Sequence, residues 1–284
     1  MIDGHIRYDV SQKRSTNLLR DITLGQYYQT DSVVHRLDPR VKLTATICFI
    51  ISLFLVDNVL GYLIAAAFLV FSIKLSKVPF KFMVKGMKAI MFLLLITVIF
   101  NLFLTPGTPL ITFWKLTITI EGLRVAGMMA IRLVFLIIGS SVMTLTTTPN
   151  NLTDGMEQLL KPLKKVKVPV HEVSMMMSIA LRFIPILMEE TDKIMKAQIA
   201  RGADFESGNI FKKAKAMVPL LVPLFISAFR RANDLAMAME ARCYRGGDHR
   251  TKMKPLVYKK RDLIGYCVLV VYLVLCIGIG RVLF

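Results

Sequence analysis

The apolar residues of this chain are gathered into separate blocks, and that segregation restricts the fold more than any other feature. The first block, Leu43 to Ile73, is broken only by Asp57-Asn58. Basic residues stand before it (Arg36, Arg40, Lys42) and after it (Lys74, Lys77, Lys81, Lys85, Lys88), so both of its ends belong on the cytoplasmic side. This predicts a hairpin of two spans. Each has roughly 14 residues against the ~20 of a straight crossing, which requires a thinned bilayer or shielding by neighbouring protein.

A third block, Ala89 to Leu104, ends at the turn Thr105-Pro106-Gly107. The loop from there to Glu121 carries one basic residue, Lys115, and reads as external. The fourth block, Val125 to Leu145, leads to Thr148-Pro149-Asn150, and more than half of the 37 Lys and Arg residues then fall between Lys161 and Arg261. That region reads as cytoplasmic. A last block, Ile264 to Ile279, crosses outward. The expectation is an all-α membrane protein of about five transmembrane helices, with the N-terminus inside and the C-terminus outside. Its segments are a cytoplasmic stretch over 1–42, helices 1–4 over 43–148, a cytoplasmic helical region over 149–262 and helix 5 over 263–284. The first 35 residues are polar, with no apolar core before a small-residue cleavage site, so no removable signal peptide is expected.

Composition agrees: 55% hydrophobic residues is too apolar for an ordinary soluble surface. A net charge of +18 implies attraction to something anionic, whether lipid head groups, nucleic acid or an acidic protein. Cys48, Cys243, Cys267 and Cys276 show neither metal-ligand spacing nor a disulfide framework, and read as small packing residues.

The region over 149–262 mixes charge with apolar residues at helical spacing. Val173, Met176, Met177, Ala180, Ile184, Leu187 and Met188 form one helix stripe, and Glu189, Glu190, Asp192, Lys193 and Lys196 argue against another span. A second stretch, Phe211 to Arg242, repeats the style, with Pro219 and Pro223 expected to kink or split it. Methionines are frequent in both, as suits a surface that repacks against partners or an ordinary core.

Three groups of residues stand out. Asp38-Pro39 suits an N-cap and first helical position, and the basic residues around it suit a membrane collar or a partner contact. Arg132 lies about eight residues beyond Arg124, on the order of 12 Å into the fourth helix. Arginine there is costly, so it faces a partner or pairs internally, or it snorkels if the span shifts in register. Finally, Ala200-Arg201-Gly202 and Ala241-Arg242-Cys243 each close a predicted helix with an arginine between small residues. Small neighbours permit close approach of another protein, and a guanidinium can fork onto its carboxylate. An arginine near a helix C-terminus can also serve the dipole and the last carbonyls.

Catalytic patterns are sparse. No Gly-x-x-x-x-Gly-Lys-Ser/Thr is present, so this chain does not cradle nucleotide phosphates as a P-loop ATPase does. His171-Glu172 lacks the second histidine of a zinc-protease helix, and Glu189-Glu190 lacks an arginine four residues on, where Ile194 stands. No nucleophile elbow is recognisable.

Taken together, the sequence resembles the transmembrane coupling (T) subunit of energy-coupling factor (ECF) transporters, the ABC importers of vitamins and metal ions. The resemblance covers nearly the whole chain. It is carried by Ser32-Val33-Val34-His35-Arg36-Leu37-Asp38-Pro39-Arg40, Thr146-Thr147-Thr148-Pro149, Leu181-Arg182-Phe183-Ile184-Pro185, Ala197-Gln198-Ile199-Ala200-Arg201-Gly202 and Ala238-Met239-Glu240-Ala241-Arg242-Cys243-Tyr244. It implies long amphipathic coupling helices that dock on two cytoplasmic ATPase subunits. The docking residues carried over are Ala200, Arg201 and Gly202 with Ala241, Arg242 and Cys243, where Cys243 replaces the family's glycine. It also implies a separate substrate-binding (S-component) membrane subunit, ATP and magnesium used by the ATPases alone, and no cofactor, catalysis or nucleic acid for this chain. The runner-up reading is an intramembrane lipid-modifying or proteolytic enzyme, motivated by Arg132 and the basic face. A membrane-anchored binder of polyanions rests on the charge alone.

Overall fold

A computed structural model describes residues 27–56, 58–87, 90–113, 116–205, 209–247, 253 and 255–282. Residues 1–26 of the expected cytoplasmic stretch lie outside the described residues, as do Asp57, Lys88, Ala89 and Lys115. The helices are α1 (Pro39–Leu55), α2 (Val59–Ser76), α3 (Phe80–Met87), α4 (Met91–Leu104), α5 (Ile120–Thr146), α6 (Pro149–Leu160), α7 (Val170–Ala200), α8 (Ile210–Ala241) and α9 (Lys260–Val282). A 3₁₀ helix, Lys161–Val166, precedes α7. The fold is helical, as expected, with one addition. A short antiparallel hairpin, β1 (Pro109–Phe113) and β2 (Leu116–Thr119), occupies the loop after α4, pairing Ile111 with Ile118 and Phe113 with Leu116. Its β-branched residues favour that conformation locally.

Four described helices are long and apolar enough to cross a membrane by length and composition: Val59–Ser76, Ile120–Thr146, Val170–Ala200 and Lys260–Gly278. The expected first and third spans, α1 and α4, have 17 and 14 residues and are shorter than this. α7 qualifies because only Glu172 and Arg182 are charged before Glu189. Pro219 and Pro223 do not split α8, which runs unbroken through both. The N–H missing at Pro223 leaves the Pro219 carbonyl without its helical donor. Gln198 Nε2 of α7 donates to that carbonyl in a long bond of 3.4 Å.

The described residues divide into two compact units, one within 160–253 and the other within 27–159 together with 255–282. The larger one packs α1, α2, α5 and α9 around Phe49, Leu53, Ala65, Leu69, Val142, Leu269 and Tyr272. Phe68 stacks on Tyr272 at 4.4 Å, and the Tyr272 hydroxyl meets Ser52 Oγ at 2.6 Å. Cys276 is buried in this core and Cys48 half-buried, whereas Cys243 and Cys267 are exposed and pack little. Most of the remaining helix surface is apolar and exposed, as a lipid-facing surface is.

Of the basic residues before the first span, Arg36 is exposed beside Asp31, whereas Arg40 and Lys42 are drawn into the protein and do not form a surface collar. Asp38 caps α1 by accepting from the Arg40 N–H at 2.9 Å, with Pro39 in the first turn, as predicted. Arg40, however, is buried: it forks onto Asp38 at 3.0 and 2.8 Å, donates to the Leu256 carbonyl at 3.1 Å and lies 3.7 Å over the Tyr258 ring. Lys42, also buried, donates to the Thr146 carbonyl at the end of α5 at 2.8 Å and to the His35 carbonyl at 3.1 Å. Asp262, only 2% exposed, accepts from the N–H of Asp38 at 2.8 Å and of Lys259 at 2.7 Å. This polar knot ties the starts of α1 and α9 to the end of α5. Burial opposes ionisation of Asp38, but the hydrogen bonds from Arg40 outweigh it and hold the carboxyl below the usual range.

Candidate functional site: two arginine-bearing helix ends

α7 and α8 form an antiparallel pair. Near one end Gln198 reaches Pro219; midway Glu190 accepts from Ser227 Oγ at 2.6 Å and from Arg231 Nη2 at 2.8 Å; beyond that, Phe183 and Ile179 share an apolar groove with Leu235 and Met239. Of the Glu189-Glu190 pair, Glu190 therefore supplies a helix–helix clamp. Because the helices run in opposite directions, their C-terminal arginines lie at opposite ends of the pair. From Pro219, alongside Gln198, to Arg242 is roughly 35 Å of helix.

Both ends are closed by the same backbone device. At the first, the N–H of Gly202 donates to the Ile199 carbonyl at 2.9 Å and that of Ala203 to Gln198 at 3.0 Å. At the second, the N–H of Cys243 donates to Glu240 at 2.8 Å and that of Tyr244 to Met239 at 3.0 Å. These are two Schellman caps, with Arg201 and Arg242 in the C-cap position and a left-handed residue after each. Gly202 has φ +87° and Cys243 φ +57°. Glycine suits this turn, as at Gly202, and Cys243 adopts it at a steric cost. Cys243→Gly is expected to stabilise the helix end by about 1 kcal/mol, and Cys243→Val to destabilise it further, measured as amide exchange protection over 236–242.

Ala200, Arg201, Gly202, Ala241, Arg242 and Cys243 are all exposed. The described residues offer neither guanidinium a hydrogen-bond or ion-pair partner. Two of the last carbonyls at each end, those of Gln198 and Ile199 and of Met239 and Glu240, accept from backbone N–H groups, and no described hydrogen bond joins either guanidinium to a carbonyl.

Arg132 is placed differently. Its Nε donates to the Tyr62 hydroxyl at 2.9 Å and its Nη2 to the Val56 carbonyl at 3.3 Å, with the guanidinium 5.6 Å from the Phe54 ring centre. Val56 is the C-cap of α1. α1 spans roughly 25 Å and α5 roughly 40 Å, so the α1–α2 turn stops beside the middle of α5. Its carbonyl there needs a donor other than water, and Arg132 is that donor. The arginine pairs internally, with Tyr62 and with the Val56 carbonyl at the α1–α2 turn. The sequence gives no sign of this partnership, because Val56 and Arg132 are far apart along the chain. Among the described residues no cluster of three or more His, Cys, Asp or Glu is arranged to hold a metal ion.

Comparison with known proteins identifies the architecture. Residues 30–253 match the family model of the cobalt transport protein CbiQ. The chain is 58% identical over 265 residues to the energy-coupling factor transporter transmembrane protein EcfT of Clostridium kluyveri, covering 92% of this chain and 97% of that one. It is 53% identical to the EcfT of Thermosediminibacter oceani over 248 residues, 87% of this chain and 94% of that one. The EcfT of Bacillus subtilis is 50% identical over 246 residues, 86% and 93% of the two chains. A membrane-embedded helical fold, matched over nearly its full length at this identity, makes the chain a member of the EcfT family of energy-coupling factor transporter transmembrane proteins.

Proposed function

We propose that this chain is the scaffold of an ATP-driven importer, docking one ATPase at each arginine-bearing helix end and passing their movement to a separate substrate-binding membrane subunit. The observation that carries this is the pair of identical caps at opposite ends of α7 and α8, each presenting an exposed arginine with no partner among the described residues. Two equivalent contacts roughly 35 Å apart suit two similar subunits better than one. Clamps at Glu190 and Gln198 make the helix pair a stiff lever, so a displacement at either end is transmitted along it. In this reading the region over 149–262 faces the cytoplasm, where the positive-inside rule puts its charge. ATP and magnesium are handled by the ATPases, and the cargo by the substrate-binding subunit, which leaves this chain without catalysis or cofactor.

The exposed apolar side chains Val218, Leu221, Val222, Phe225, Ile226 and Phe229 of α8 fit the same scheme as a surface covered by a membrane partner. The enzyme reading loses its motivation, because Arg132 is engaged by Tyr62 and Val56. Affinity purification of the tagged chain in mild detergent, with mass-spectrometric identification of what accompanies it, tests the assembly. The expected companions are two ATPase polypeptides or two copies of one, plus a small membrane protein. Recovery of the chain with no ATPase would overturn the proposal.

A further inference from the structure

Four helix ends meet at one edge of the larger unit: the start of α1 at Lys42, the end of α2 at Leu75, the end of α5 at Thr146 and the start of α9 at Arg261. Between them lies a cavity of about 200 Å³, lined almost entirely by apolar side chains and reaching inward to Phe49 and Val268. From Lys42 to Phe49, and from Arg261 to Val268, is about two helical turns, or roughly 10 Å. Val33, Phe71 and Ile264 on its rim are about half exposed or more, so the groove opens sideways, where acyl chains would be.

The polar end of the groove is cationic. Lys42 Nζ gives two of its protons to the His35 and Thr146 carbonyls and keeps a third. Asp38 is committed to Arg40, and Asp262, which attracts Lys42, carries one negative charge against the two positive charges of Lys42 and Arg261. Arg261 Nε is buried and has no acceptor among the described residues, a condition proteins rarely leave unrelieved.

We propose that this groove is a specific site for an anionic phospholipid, one acyl chain lying between α1, α2, α5 and α9 and the phosphate resting on Arg261 and Lys42. An anionic phosphate supplies the acceptor that Arg261 Nε lacks and neutralises two cations that share one mouth. A zwitterionic head group would bring its own ammonium to the same place. A free phosphate would satisfy the charge and leave the apolar groove unfilled. The site is independent of ATPase docking, because every residue in it belongs to the larger unit.

The test uses the full chain in nanodiscs of equal phosphatidylglycerol and phosphatidylcholine, ejected intact in a native mass spectrometer. The expected result is one retained phosphatidylglycerol. Arg261→Gln, which breaks no described hydrogen bond, should reduce phosphatidylglycerol retention about fivefold and leave phosphatidylcholine retention unchanged. Ala45→Phe, which fills the groove without touching a charge, should lower retention of both lipids. Equal retention of the two lipids by the unsubstituted chain, or unchanged selectivity in Arg261→Gln, would overturn the proposal. So would displacement of the lipid by inorganic phosphate, which would show that the cations bind the anion alone.

Discussion

Arg201→Glu combined with Arg242→Glu is expected to abolish ATP-driven uptake and ATPase co-purification while leaving the amount of chain in the membrane unchanged. Both side chains are exposed, and the Schellman bonds that close the two helices use only backbone groups, so the substitutions spare the fold. At each docking point the arginine would meet an acidic group in a desolvated contact. Losing such a pair costs on the order of 2–5 kcal/mol, or roughly thirty-fold to several thousand-fold in affinity, and a glutamate adds repulsion. Lysine at both positions keeps the charge but not the planar fork, so Arg201→Lys with Arg242→Lys should fall between the two. Uptake of radiolabelled substrate, normalised to the chain's abundance in membranes, gives the comparison.

Asp262→Ala should produce the largest loss of stability of any single substitution in the larger unit. It strips the acceptor from two N–H groups, those of Asp38 and Lys259, at a position 2% exposed. It also removes the carboxylate that attracts Lys42. Buried donors without acceptors cost about 1–3 kcal/mol each, so roughly 3 kcal/mol or more is expected, a fall of about 10 °C in the unfolding midpoint. Asp262→Asn keeps one acceptor oxygen and should lose about half as much. Thermal unfolding in detergent, followed by tryptophan-independent light scattering or thiol accessibility at buried Cys276, measures the difference.

Local chemistry was legible wherever the partner was close in sequence. Asp38-Pro39 announces a helix start, and Gly202 a helix end, because each acts within a turn of itself. Arg201 and Arg242 could be placed at helix ends for the same reason. What the sequence could not disclose was which charges are buried. Arg40 and Lys42 look like any juxtamembrane cations, and only the arrival of Leu256, Tyr258 and Thr146 from distant parts of the chain encloses them. Arg132 left three readings open until its acceptor, Val56, was placed beside it. Cys243 looks in the sequence like a simple replacement of glycine, whereas the backbone shows it doing a glycine's conformational work at φ +57°. The Pro219 and Pro223 pair suggested a broken helix, but a carbonyl freed by one proline is taken by a glutamine on the neighbouring helix.

The central claim is that each arginine-bearing end holds its own ATPase, and native mass spectrometry of the intact assembly tests it most directly. The unsubstituted chain should carry two ATPase subunits, Arg201→Glu alone one, Arg242→Glu alone one, and the double variant none. If either single variant still carried two, or if the double variant kept any, the arginines would not be the docking points.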